Sequence, residues 1–152
     1  MKKEMLKKRI DVAAGRVLAD LVIKNCNVVN VYTGEIQKED IAVSDGVIAG
    51  LGSYQGVMEL DGSGNYAIPG LIESHIHIES AFVTPEEIGR LLVPRGTTTI
   101  IADPHEIVNV CGIKGMEYML DAAENTVLDI RYMMPSCVPS TFFEHGGAVI
   151  EA

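Results

Sequence analysis

Pro69-Gly70-Leu71-Ile72-Glu73-Ser74-His75-Ile76-His77-Ile78-Glu79 is an apolar run that delivers two histidines, one residue apart, at a predicted strand end. Side chains alternate faces along a strand, so His75 and His77 project to one side, where they can hold a metal, while Ile76 and Ile78 pack behind them. Thr97-Thr98-Thr99-Ile100-Ile101-Ala102-Asp103-Pro104-His105-Glu106 repeats the pattern of an apolar strand ending in polar residues. Two such endings are expected at the rim of an α/β enzyme, where open-sheet and barrel proteins assemble their sites.

The segments around these stretches alternate strand with helix. Hydrophobic periodicity predicts a strand over 66–73, a helix over 85–93, a strand over 97–102, a helix over 113–124 and a strand over 127–134. A strand-to-strand interval of roughly 30 residues is that of successive βαβ crossovers. Thr84 is placed to cap the first of these helices, Pro85 suits its first position, and Glu87 can close a capping box. Gly112 and Gly115 weaken the start of the second, where Met116 and Met119 read as packing residues. After the third strand, Pro135-Ser136-Cys137-Val138-Pro139-Ser140-Thr141-Phe142-Phe143-Glu144-His145-Gly146-Gly147 is punctuated by prolines and glycines and reads as a functional loop.

The amino-terminal part has a different texture. Leu6, Ile10, Ala13, Ala14, Val17 and Leu18 fall at helical spacing, with basic residues between them, so a surface helix with a solvated basic face is expected over 3–19. From Asp20 onward come short apolar runs at 21–23, 27–31, 40–43 and 47–51, separated by Thr33-Gly34, Ser44-Asp45-Gly46 and Gly52. These are strands joined by turns. So few strands cannot close a sandwich, and their apolar faces need a second sheet, part of which is expected from outside this chain. The expected organisation is therefore a helix over 1–19, a β-rich segment over 20–64 and a βα segment over 65–152.

The bulk composition narrows the function classes. An apolar content of 47% over 152 residues is that of a folded chain with a core. The 21 acidic residues against 12 basic ones give a formal charge of -9, which disfavours nucleic-acid phosphates and anionic lipid surfaces as partners. The first residues carry scattered charges and no continuous apolar segment, unlike a secretion signal or a spanning helix, so a cytoplasmic setting is expected. Cys26, Cys111 and Cys137 lack close spacing and cannot all pair, which is consistent with reduced thiols.

Two imidazoles do not complete a catalytic metal site, which takes at least one more protein ligand while keeping a position open. Glu79 follows His77 on the alternating face and is a candidate to bind a substrate nitrogen or to orient a histidine, with direct ligation the weaker reading. Asp103, His105 and Glu106 can accept protons, position substrate, support a metal, or satisfy backbone groups in a turn that Pro104 fixes. Glu144 and His145 fit an ordinary polar loop as well as they fit a site; Glu144 is kept as a substrate-binding candidate.

Three blocks carry a resemblance: Pro69 to Ser80; Gly96-Thr97-Thr98-Thr99-Ile100-Ile101-Ala102-Asp103-Pro104-His105-Glu106-Ile107-Val108-Asn109-Val110; and Met134-Pro135-Ser136-Cys137-Val138-Pro139-Ser140-Thr141. The first resembles the amidohydrolase superfamily, and the Asp-Pro-His-Glu and Pro-Ser-Cys-Val-Pro blocks in that order resemble its adenine deaminase family. The resemblance covers nearly all of 20–152. It implies an α/β fold in which a β-rich segment is followed by the first βα units of an incomplete, metal-dependent TIM-like barrel. It also implies hydrolysis of adenine to hypoxanthine and ammonia at a manganese- or iron-bearing, usually binuclear centre. His75 and His77 match the family's first pair of metal ligands; Glu79, Asp103, His105 and Glu106 are support candidates. Family members are several times longer, so an amino-terminal portion is expected. The remaining ligands and the catalytic aspartate would then come from the rest of the barrel and a carboxy-terminal segment, with oligomerisation possible and the 152-residue chain inactive alone. The alternatives are another cyclic-amide amidohydrolase, and a structural or regulatory fragment that requires a complementary chain.

Overall fold

The computed structural model describes residues 2–141 and 143–150. Met1, Phe142, Glu151 and Ala152, which fall within predicted segments, lie outside the described residues. The chain divides into two compact units, Met1–Pro69 and Gly70–Ala152.

The first unit opens with α1, Lys3–Ala13, shorter than the predicted 3–19. The helix stops because Gly15 takes φ +68, a left-handed conformation that costs glycine little. Its N–H bonds Val12 O at 2.9 Å, and Arg16 N–H bonds Asp11 O at 2.8 Å. That pair of bonds is a Schellman ending, which satisfies carbonyls the last turn would otherwise leave open. Val12 is the fully buried residue of α1, while Leu6 and Ile10 of the expected apolar stripe are about half exposed.

β1 (Ala19–Val29) merges two of the predicted runs into one strand. The seam is Asn25, at φ +56, where the register with β2 (Ile36–Ser44) shifts between Ile23 and Cys26. Such a bulge bends the strand without ending it, and asparagine tolerates the backbone there. β2 turns through Asp45-Gly46 into β3 (Val47–Gly52), antiparallel. β4 (Gly56–Asp61) and β5 (Tyr66–Ala67) both pair parallel with β1. The order is β3-β2-β1-β4, with β5 also on β1. One face is covered by α1 through Val12, Ala19, Val22 and Ala42, with Ala49 and Tyr54 packed against them. Ile23, Val28, Ile41, Val43, Ile48 and Leu51 line an open apolar hollow.

Asp40 is the charged group tucked into this sheet. Its carboxylate accepts bonds from Lys24 Nζ, from Asn25 N–H at 2.9 Å and from Tyr54 N–H at 3.2 Å. Burial alone would raise its pKa, but these three donors outweigh it and hold the carboxyl below its ordinary value.

The second unit carries a parallel sheet in the order β6-β7-β8: β6 (Leu71–Ile76), β7 (Thr97–Ala102) and β8 (Asp129–Tyr132). The predicted strand over 66–73 is split between the units, its first part forming β5 and the rest β6, with the break at Pro69-Gly70. Proline has no N–H for a ladder, and Gly70 lies so close to Thr98 that a Cβ there would overlap its side chain.

Helix α2 (Pro85–Leu92) connects β6 to β7. Thr84 precedes it with extended backbone, as an N-cap should, but the predicted capping box is absent: Thr84 bonds the Glu86 carboxylate, and Glu87 pairs with Arg90 at 2.6 Å. Between β7 and β8 lie α3 (His105–Cys111) and α4 (Ile113–Ala123). α4 agrees with the periodicity, whereas α3 occupies residues predicted as a turn. Pro104 ends the strand and then stands at the N-cap of a helix instead of a loop. Ile78, Ile88, Ile100, Ala102, Met119 and Leu128 form the core of this unit, so Met119 is the packing residue its spacing suggested. Among the described residues no helix is long and apolar enough to cross a membrane.

Candidate metal centre

Parallel pairing brings the carboxyl ends of β6 and β7 side by side, and the predicted polar residues lie there. Pairing of Ile76 with Ala102, and the 2.9 Å bond from Asp103 N–H to Ile76 O, set the two exits level. His75 is the penultimate residue of β6 and His77 follows its end. Their ring centroids are 5.2 Å apart with the planes tilted by 40°, while Ile78 is fully buried behind them. Asp103 joins them: one ligand atom from each of His75, His77 and Asp103 lies within 4.8 Å of the others.

These residues fit a divalent cation. Two imidazoles and a carboxylate are the donor set of first-row metals. Asp103 Oδ1 is buried without a hydrogen-bond partner, with His105 Nδ1 at 3.8 Å, beyond hydrogen-bond range. A buried carboxylate oxygen left unsatisfied beside two lone-pair donors is what a cation would relieve.

α3 supplies the flanking groups. Glu106 Oε2 lies 2.9 Å from His77 Nδ1, and Glu106 Oε1 accepts a 2.9 Å bond from Ser80 Oγ. Partial burial pushes the Glu106 carboxyl up, but its own backbone N–H, Ser80 and His77 together hold it below the ordinary glutamate value. Glu79 reaches the same helix, its Oε1 accepting the Ile107 N–H at 3.2 Å. Pro104 offers no side-chain acceptor to cap α3, so a carboxylate from another segment takes up one of the open first-turn donors, where the helix dipole also favours negative charge. Glu79 Oε2 is buried and unpartnered. Tyr132, whose hydroxyl donates to Met119 O at 3.0 Å, has its pKa raised by burial and by the Glu79 charge.

The structure thus gathers His75, His77 and Asp103, sets His105 and Glu106 directly behind them, and turns Glu79 toward α3. Glu144 stands elsewhere, its Oε2 accepting the Ser140 N–H at 3.1 Å within the loop after β8. Ser80 is the residue that sequence reasoning missed. It is a hydroxyl one position beyond Glu79, and its partner, 26 residues away, is invisible to local pattern.

A family model described as the amidohydrolase family matches residues 66–151, and the chain belongs to that family. The chain is 62% identical over 152 residues to adenine deaminase 2 of Desulfotalea psychrophila, covering 100% of this chain and 26% of that protein. It is 61% identical over 153 residues to an adenine deaminase of Ligilactobacillus salivarius and 49% identical over 152 residues to that of Bacillus subtilis, with the same coverage of both chains. The chain therefore spans about a quarter of the length of these curated relatives.

Proposed function

We propose that this chain is the amino-terminal part of an adenine deaminase, with β6, β7 and β8 as the opening strands of a β/α barrel, and that the whole protein hydrolyses adenine to hypoxanthine and ammonia. One observation carries the reading: His75, His77 and Asp103 converge at adjacent strand ends in a chain 62% identical to a protein named for that activity. His75, His77 and Asp103 would hold a divalent cation, manganese or ferrous iron in a centre completed as a pair by further residues of the whole protein. Such a cation supplies Lewis acidity that makes water nucleophilic near neutral pH.

The chain's own residues do the rest of what this segment contributes. His105 backs Asp103, and Glu106 holds the His77 ring by its Nδ1 edge. Glu79 Oε2 has no hydrogen-bond partner, and it would accept a hydrogen bond from a purine N–H once its side chain turns out of the buried position it takes beside α3. The core residues Ile78 and Ile100 exclude water from beneath the strand ends. The free thiols of Cys26, Cys111 and Cys137 suit a reducing cytoplasmic setting.

The test uses the full-length polypeptide, loaded separately with manganese and with ferrous iron and assayed for ammonia released from adenine. Release with either metal is expected. Robust turnover of a dihydropyrimidine or another cyclic amide, with none of adenine, would move the substrate assignment elsewhere in the family.

A further inference from the structure

We propose that Ser80 is a positioning residue which, acting through Glu106, fixes the His77 ring with its Nε2 lone pair free for a metal; this rests on the metal reading of His75 and His77. The chain of contacts is continuous. Ser80 Oγ donates to Glu106 Oε1 at 2.9 Å, and Glu106 Oε2 stands 2.9 Å from His77 Nδ1. An ionised carboxylate can only accept, so a neutral His77 ring facing it carries its proton on Nδ1 and its lone pair on Nε2. A ligating histidine needs that division of labour, and the partner of its other nitrogen sets it.

Glu106 needs help to do this. Its side chain is 46% exposed and His77 is 34% exposed, so neither is held by packing alone. Ser80 occupies one carboxylate oxygen and leaves the other for the imidazole. The hydroxyl is itself placed by a short 3-10 turn, Glu79–Ala81, in which Ser80 N–H bonds His77 O at 3.2 Å and Phe82 N–H bonds Glu79 O at 2.9 Å. Neighbouring residues of this turn grip neighbouring residues of α3: Glu79 takes Ile107 N–H, and Ser80 takes Glu106. The turn that begins two residues after the ligand therefore returns to orient it.

The experiment uses the full-length polypeptide with S80A, S80T, E106A and S80A/E106A. Two quantities are read: the manganese dissociation constant by chelator competition, and the tautomer of His77 in metal-free, 15N-histidine-labelled protein by two-bond 1H–15N correlation, assigned with H77Q. S80A is expected to weaken manganese binding about 10-fold and to mix the His77 tautomers, while S80T, which keeps the hydroxyl, restores both. S80A is expected to add nothing in the E106A background, because its effect runs through Glu106. Wild-type affinity and an unmixed Nδ1–H tautomer in S80A would overturn the proposal, as would an equal loss on adding S80A to E106A. If H75A and H77A left manganese binding unchanged, the metal reading would fall, and the His77 tautomer in S80A would still decide the role of Ser80.

Discussion

His75 and His77 reach the same side at the end of β6, past the register shift between Glu73 and Ile76, and Asp103 meets them because β7 runs parallel beside it. If the three are ligands, H75A, H77A and D103N in the full-length protein should each lower manganese affinity by at least about 100-fold, since removing even an outer partner of a ligand costs 10–100-fold. Metal analysis after dialysis checks this, and undiminished content in all three would exclude the site. Asp40 couples the stability of the first unit to pH. Its folded pKa lies below the ordinary 3.8, so it contributes stability that is present above that value and is lost as pH falls through the lower, folded one. D40N, which cannot ionise, should unfold at lower urea than wild type at pH 7, by about 1–3 kcal/mol. The gap should narrow from about pH 4 downward; a gap independent of pH would show that the ion pair with Lys24 is not its source.

Elements whose signals are local match the sequence well. β7, α2 and α4 follow their periodicities to within a residue or two, and the turn after Ser44 falls at Asp45-Gly46. Their ends depend on chemistry that periodicity does not see. The apolar spacing of Val17 and Leu18 continues past Ala13, but the left-handed Gly15 ends the helix first. A Cβ at Gly15 would meet nothing within 4 Å, so the cost of G15A is conformational alone. It should come to about 1–2 kcal/mol, read as a lower unfolding midpoint. No change would mean that the Schellman ending does not hold α1. α3 was hidden for the opposite reason: Asp103-Pro104 reads as a stop, and only the Glu79 carboxylate, from a different segment, shows how a helix can begin there.

At the scale of the molecule, the first unit leaves an apolar hollow open on its sheet, and in the second, among the described residues, β6 and β8 are each paired on one side only. Open edges and apolar faces promote association. The 152-residue chain alone should therefore self-associate at micromolar concentration and above, as light scattering would register; a stable monomer with cooperative unfolding would show that these surfaces need no cover. Neighbours along the chain were enough to mark β2, β3, β7 and the common side of His75 and His77, whereas β4 carried no such local signal and β1 joined two runs that read as separate. Tertiary structure alone decided that Asp103 completes the group, that β5 leaves the expected strand to pair with β1, and that Ser80 and Glu106 stand behind His77. The contacts around His77 and Asp103 depend on the register between β6 and β7, which shifts between Leu71 and Ile72 and again between Glu73 and Ile76. A one-residue slip turns every side chain to the other face, so the long-range packing that fixes the register also fixes the site.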